Sequence, residues 1–450
     1  MEILKGTAIS LMIALFCYLS VPSVFASNNL SAGSSYAMGS TYQLNCPNEV
    51  GNATLVTAQI ANYSSAAGYS AYNWYGSQTT LNNIYAAAAA EGSPNSISFF
   101  TGHGNYQPDL LGYNHWCFPD NNGNEAWDYN IISHTQHMDT SFVFLWACQQ
   151  ADVIGGYHLF DYPYYFYGMP FVWLQTNGLS SDGYLNPDYG LRCFTGWNGD
   201  APGLSYHFIK SGEFPTFLEA FYYSALVQGY SVNQALDYAA YQTWGVSYYN
   251  CELRTGVTWS DGSTAKMAVY GDGTMHLKPL QPMFAMKTLV NGEFYKPSVT
   301  VPFMKIEEWF TNSSAEGDLT GNAVAGYPCP FPDGVVELSD LVTIANAYGA
   351  TEGGAKWNYQ ADVVPDRVVG LSDLVTVAVN YGARGSGWYS TDLSRIYVSF
   401  NFTDGSTITH WPDSKGFVPI PWNCTDFTVY QQQSWPWPDT TVGAFITFWG

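Results

Sequence analysis

Two short apolar runs constrain this chain more than any other part of it. Ile97-Ser98-Phe99-Phe100 passes through Thr101 into Gly102-His103-Gly104, and Phe142-Val143-Phe144-Leu145-Trp146 passes into Ala147-Cys148. Runs of this length and composition predict buried strands. A buried strand holds its C-terminal end rigidly, and in open α/β sheets ligands bind in the crevice at that edge. If the two strands are neighbours, their tips carry an imidazole and a thiol together, a base beside a nucleophile.

The surrounding pattern fits such a sheet. From residue 27 to about 280, strand and helix signals alternate. Ala86–Ala90 is a helix former that ends near Gly92-Ser93-Pro94, and Asn105–Asp139 is a long polar and aromatic insertion. Further strands are expected at Phe171–Leu174, Arg192–Thr195 and Met267–Tyr270, the last running into the turn Gly271-Asp272-Gly273-Thr274. Phe214, Phe217, Leu218, Phe221, Tyr222 and Ala225 recur at helical spacing before Gly229. Ser231-Val232-Asn233-Gln234 is a capping-box pattern that opens a second helix ending at Gly245. Strands alternating with helices imply a mostly parallel sheet covered by helices, an α/β domain.

Composition bounds the function classes. Fourteen basic against 36 acidic residues leave a net charge of −22, which makes nucleic acid a poor partner and suits a soluble extracellular protein. An aromatic content of 17% is too high for disorder. Residues 1–26 combine Lys5, an apolar stretch and Val24-Phe25-Ala26, which reads as a secretory signal peptide; an uncleaved anchor is the alternative. No later run approaches the ~20 apolar residues of a membrane span, so a secreted or cell-surface location is expected. Six N-x-S/T sites (Asn29, Asn52, Asn62, Asn312, Asn401 and Asn423) suit a glycoprotein. Signal removal takes Cys17 and leaves Cys46, Cys117, Cys148, Cys193, Cys251, Cys329 and Cys424. An odd number leaves at least one thiol unpaired; if Cys148 is that thiol, the other six could form three disulfide bonds, with the pairing open.

Residues 281–325 lose periodicity and read as a linker with a short β element at Ser298–Met304. Within residues 326–385 a duplication follows: Leu338-Ser339-Asp340-Leu341-Val342-Thr343-Ile344-Ala345 recurs 33 residues later from Leu371 to Ala378, and both copies run on to Tyr-Gly-Ala. Residues 386–450 form a β-rich C-terminal module, with strands expected at Ile396–Phe402, Phe427–Tyr430 and Val442–Trp449.

On these residues the segment from about 70 to 280 resembles the caspase-fold cysteine peptidases, the clan that includes caspases, gingipains, legumains, clostripain and the prokaryotic CHAT proteins. In that clan a hydrophobic strand ends in His-Gly and the next sheet strand in Ala-Cys, as His103-Gly104 and Ala147-Cys148 do here. Thr101-Gly102-His103-Gly104, the helix pair over Phe217–Trp244 and Tyr270-Gly271-Asp272-Gly273-Thr274 are closest to gingipain and CHAT patterns. The family usually has Pro where Gly273 stands and small residues where Gln149 and Gln150 follow the cysteine. The resemblance implies a caspase-like sheet and endopeptidase hydrolysis of a protein or peptide substrate. Cys148 would attack, His103 would shuttle protons, and the amides of Gly104 and Cys148 would face the oxyanion. Family members often select a charged or Asn side chain before the cut. Asp152, Asp161 and Asp200 are the candidate acids for such a pocket, with Asp200 after the turn Trp197-Asn198-Gly199 the first choice, and Trp197 is expected to contact substrate beside it. The alternative is a surface structural or adhesion protein with an inactive peptidase-like scaffold.

Two metal readings stand beside this one. His134, His137, His115, Asp128 and Asp139 lack the spacing of a catalytic zinc site, and a polar loop is the better reading. The duplicated module resembles dockerin repeats, in which an EF-hand-like calcium loop precedes each helix, and a docking partner would follow. Aligned on Asp340, loop positions fall at Cys329, Phe331, Asp333, Glu337 and Asp340, and in the second copy at Asp362, Val364, Asp366, Gly370 and Asp373. The acids Asp333, Glu337, Asp340, Asp362, Asp366 and Asp373 are thus the candidate Ca2+ ligands, short of the six or so oxygens calcium needs. The alternative is a metal-independent helical pair joined by Leu338, Leu341, Ile344, Leu371, Leu374 and Val377.

Overall fold

The computed structural model describes residues 33–44, 46–90, 95–110, 114–135, 140–155, 166–174, 192–206, 212–259, 262–289, 293–310, 317–322, 331–384, 388–389, 396–412, 416–431 and 443–450. The signal-like start, Cys329, His137, Asp139 and Asp161 lie outside these residues. The chain divides into two units: residues 1–227 with 231–279, and residues 280–450 with 228–230.

The first unit is built on β1 (Ser34–Gly39), β2 (Ser70–Tyr75), β3 (Asn95–Thr101), β7 (Thr140–Trp146), β10 (Arg192–Gly199), β11 (Val257–Thr258) and β12 (Thr264–Gly271). They form one seven-stranded sheet in the order β11-β12-β10-β7-β3-β1-β2. From β2 to β10 every pairing is parallel, and β12 and β11 close one edge antiparallel. The expected α/β class is therefore correct.

Both faces of the sheet are covered, and the sequence of β7 shows how. Val143 and Leu145 join Tyr36, Met38, Phe100 and Phe194 in one cluster, beneath α2 (Leu81–Ala88), α3 (Asp128–Thr135) and α4 (Met169–Leu174). Phe142, Phe144 and Trp146 point the other way. Their rings meet Phe221 at 5.8 and 5.5 Å and Phe214 at 5.5 Å, from α5 (Glu213–Tyr223). Alternate side chains thus serve opposite layers, so a two-sided strand reads as an unbroken apolar run. The long helix α1 (Pro47–Ala66) packs on the α5 side as well.

The capping box forms as expected. Ser231 Oγ accepts from the Gln234 amide while Gln234 Oε1 accepts from Ser231, opening α6 (Val232–Trp244), which Gly245 ends at φ +75°. Phe171–Leu174 departs from expectation: it is the end of α4, not a strand. All six residues of α4 are buried, so a run apolar on every side gave no period to choose between strand and helix. Pro170 near the helix start suits the first turn, where its missing N–H costs nothing.

The insertion after His103 is also ordered. It holds a three-stranded antiparallel sheet of β4 (Asn105–Pro108), β5 (Asn114–Pro119) and β6 (Glu125–Trp127), followed by α3. A short antiparallel pair, β8 (Ile154–Gly155) and β9 (Phe166–Tyr167), lies before α4.

The second unit corrects the linker expectation. Within that stretch, residues 282–310 include three strands: β13 (Pro282–Leu289), β14 (Glu293–Tyr295) and β15 (Phe303–Phe310). They pair with strands from the far end of the chain. The unit has one sheet of β13, β15, β18 (Trp388–Tyr389), β21 (Phe417–Pro419) and β23 (Gly443–Trp449). The other holds β14, β19 (Ile396–Phe402), β20 (Thr407–His410) and β22 (Cys424–Gln431). Met304, Ile306, Ile446 and Phe448 of the first meet Val398, Phe400, Phe427 and Val429 of the second in a common core. The duplicated module is thus inserted between β15 and β18 of a two-sheet β structure.

Within that module, α8 (Leu338–Ala347) and α9 (Leu371–Val379) are held by reciprocal strand-like bonds. Val336 pairs with Ala383, and the equivalent Val369 pairs with Ala350. Ile344 and Val377 are fully buried, with Leu341 and Leu374 packed against them. Leu338 and Leu371, expected in this core, are each 65% exposed, because they occupy the outer side of the first turn.

Among the described residues no helix is long and apolar enough to cross a membrane. The expected three disulfides are not found either: Cys46, Cys117, Cys148, Cys193, Cys251 and Cys424 are all free. Each buried cysteine fills its own element, as Cys251 does by donating to the Tyr248 carbonyl.

Candidate active site

β3 and β7 pair at a constant offset, with Asn95 opposite Thr140 and Thr101 opposite Trp146. Carried two residues further, that offset sets His103 opposite Cys148, on tips of strands that run about 4.8 Å apart. The two tips touch through their backbones. A Cβ on Gly104 would lie 2.1 Å from the Cys148 carbonyl oxygen and 2.8 Å from its nitrogen, so only glycine fits there. His103 is exposed and Cys148 half-buried. The described residues include no hydrogen bond between imidazole and thiol; Cys148 Sγ lies 3.9 Å from the Ala201 carbonyl oxygen instead.

Cys148 leads into a strained turn. Gln149 adopts φ +63°, an uncommon conformation for a non-glycine residue that functional sites often retain. The turn is fixed from three sides. Gln149 N–H donates to Gly199 O at 2.6 Å, Ala151 N–H donates to Trp197 O at 2.9 Å, and Tyr270 Oη donates to Ala151 O at 2.9 Å. Gln150 is fully buried.

Burial pushes the Cys148 thiol above its ordinary value, and the Asp200 carboxylate adds to the rise, while backbone contacts at Ala201, Gly104 and Cys148 itself act downward. The resting thiol is therefore protonated at neutral pH, and attack requires a base to take its proton as the bond forms. Cys46 presents the reverse case. It is exposed at the N-terminus of α1, and the backbone at Glu49, then Ser205 and the backbone at Asn48, lower its thiol.

Asp200 follows directly on β10 and is partly exposed. Its carbonyl accepts from Trp259 Nε1 at 2.9 Å, and Trp259 packs edge-on against Tyr206. Further along the same loop, Glu49 accepts the amides of Leu204 and Ser205 at 2.6 Å each, so the first turn of α1 anchors the segment. Asp152 accepts from Gly199 N–H at 3.1 Å; burial raises its carboxyl to about 6, against that bond and with help from Asp200. Of these two acids, Asp200 is the one that acts on the Cys148 thiol. Trp197, expected to touch substrate, is wholly buried against Trp146, with ring centres 5.1 Å apart, because inward-facing positions of β10 belong to the core. An open groove of about 490 Å³ is bordered by Gly199, Asn198, Thr255, Thr258, Thr264 and Lys266.

His115 Nδ1 bonds Asp128 at 2.9 Å, and His134 stacks on Tyr85 at 4.2 Å. No group of three His, Cys, Asp or Glu among the described residues is placed to hold a metal ion.

In the duplicated module, Asp362 accepts the amides of Asp366 and Arg367, and Asp373 accepts those of Val364 and Gly370. The first copy repeats this pattern, but through Asp318 rather than Cys329. Asp318 accepts the amides of Asp333 and Gly334, and Asp340 accepts those of Leu319, Thr320 and Glu337. A hairpin of β16 (Gly321–Asn322) and β17 (Phe331–Pro332) closes the gap, which a fixed 33-residue offset could not reveal. The stretch Gly317-Asp318-Leu319-Thr320-Gly321-Asn322 was the available signal.

The donors of the second copy do not fit a calcium ion. The buried acids are committed to backbone amides. In the second loop Val364 and Gly370 offer no side-chain oxygen, and Tyr295 Oη donates to Asp362. The Arg367 guanidinium lies 4.2 Å over the Tyr295 ring and 2.7 Å from Glu352, placing a protein cation beside that loop.

No protein-family model and no curated protein matches this chain. Among solved structures it is similar to caspase-1 from Spodoptera frugiperda, at 9% identity and a TM-score of 0.31, over 56% of this chain and 93% of that one. It is also similar to a structure described as a protease, at 11% identity and a TM-score of 0.33, over 92% of this chain; the match spans 64% of that protein's length.

Two outcomes follow. As pH rises, iodoacetamide should modify Cys46 before Cys148, whose rate climbs only above the ordinary thiol range. Asp200→Asn should shift the Cys148 profile to lower pH. Peptide mapping across a pH series checks both, and Cys148 reacting first in neutral solution would contradict them. A calcium chelator should leave the melting temperature unchanged, whereas Tyr295→Phe should cost about 1–3 kcal/mol through loss of its bond to a buried carboxylate. Calorimetry reads the difference.

Proposed function

We propose that this chain is a cysteine endopeptidase of the caspase-like type, with Cys148 as nucleophile and His103 as proton carrier. The observation that carries this reading is the shared register of β3 and β7, extended to a backbone contact between Gly104 and Cys148. As Cys148 Sγ bonds to the scissile carbonyl carbon, its proton passes to His103. The carbonyl oxygen takes up negative charge between the N–H groups of Gly104 and Cys148. His103 then protonates the leaving amine, the C–N bond breaks, and water hydrolyses the thioester. Each oxyanion donor is worth about 3–4 kcal/mol in such sites.

Asp200 selects a cationic side chain before the cut. It lies beside the thiol, carries charge of the right sign and is held by Trp259. The protein acts after secretion, and its duplicated module is a dockerin-like docking element. Leu338, Val342, Leu371, Val375 and Val379 are exposed along the outer sides of its two helices, an apolar face for a partner protein. One observation favours the alternative of an inactive scaffold: the imidazole and thiol share no hydrogen bond at rest.

Peptides with Arg or Lys before the scissile bond should be cleaved by the wild type. Cys148→Ala should abolish turnover, His103→Ala should lower kcat by about 10²–10⁴, and Asp200→Ala should cut the preference for Arg over a neutral side chain by about tenfold. Chromatography of the fragments checks all three. Full activity in Cys148→Ala would refute the proposal.

A further inference from the structure

Gln150 stands where small residues were expected, and its side chain does something specific. Its Nε2 donates to the Cys148 carbonyl at 2.9 Å and to the Cys117 carbonyl at 3.1 Å. Cys117 lies in β5 opposite Asn105 of β4, the residue that follows Gly104. One amide therefore closes a ring that runs from Cys148 through Gln150, Cys117 and Asn105 to Gly104. The same nitrogen would stand 2.8 Å from a Cβ at Gly104, so it sits beneath the contact between the two strand tips.

The arrangement carries costs that packing alone does not explain. Gln150 is fully buried, and its Oε1 has no hydrogen-bond partner. The preceding residue, Gln149, is held at positive φ. An unpartnered buried oxygen and backbone strain next to each other, at a nucleophile, indicate a geometry retained for function. An apolar side chain of similar volume would fill the space without leaving an unpaired oxygen.

We propose that Gln150 is a positioning residue: by tying the Cys148 and Cys117 carbonyls together, it fixes how the amides of Gly104 and Cys148 present themselves to the thiol and to the charge that forms there. This rests on the peptidase reading for its role in turnover, but not for its effect on the thiol. Without the tie, those amides no longer converge on Sγ, and the thiolate loses donors that favour it.

The test uses Gln150→Met in the full chain, with Cys46→Ser to remove the other reactive thiol. Alkylation of Cys148 should shift to higher pH by about one unit. Against an Arg-containing peptide, kcat should fall about 10²-fold with KM changed less than about twofold. A folded variant with an unshifted alkylation profile would overturn the proposal. A wild type that cleaves no peptide, while the Met variant still shifts the profile, would refute the peptidase reading and leave the tie standing. Should the Met variant fail to fold, Gln150→Glu serves, because its protonated carboxyl can still donate one bond. Its Cys148 alkylation rate relative to the Gln150 protein should then rise as pH falls, and a ratio independent of pH would overturn the proposal.

Discussion

The parallel pairing of β3 with β7 is the constraint on which the site depends. Aromatic and aliphatic side chains bury both faces of these strands, so neither can slip. A shift of one residue would turn Phe142, Phe144 and Trp146 into the layer that Val143 and Leu145 now occupy. The register is thus secured by the core, and the chemistry at the tips inherits it. His103 and Cys148 inherit the offset of this ladder because many apolar contacts below them hold the strands in place, rather than through any bond of their own.

What lies above the core is costly and local. Gly104 approaches the Cys148 backbone too closely for any side chain, Gln149 is held at positive φ, and Gln150 leaves an oxygen unpaired. Burial raises the pKa of the half-buried thiol and Asp200 raises it further, so a stable resting thiolate is not part of this design.

Local signals in the sequence carried much of this. The two strand runs, the Ser231 capping box, the Gly245 stop and the strand Ile396–Phe402 were legible because their causes lie within a few residues. Phe171–Leu174 was not, since an apolar run without a period fits helix or strand equally. The strands in residues 282–310 were hidden because their partners, β22 and β23, lie far along the chain. Asp318 escaped notice because a hairpin separates it from the loop it completes. Of the candidate site, the placement of Cys148, His103 and Asp200 just past strand ends was legible from the apolar runs before them. Trp197 was misread, since its direction depends on the sheet. The part of Gln150 could not be seen without β5, whose place beside Cys148 is a matter of tertiary structure.

The central claim is geometric, and a cross-link tests it without any substrate. In His103→Cys, residues 103 and 148 stand on adjacent strand tips within the Cα separation that a disulfide spans. Mild oxidation should join them, and mass spectrometry of the non-reduced digest should find one peptide pair linked through those two cysteines. If both thiols remain free and alkylate independently under the same conditions, the imidazole and the thiol do not face each other and the account fails.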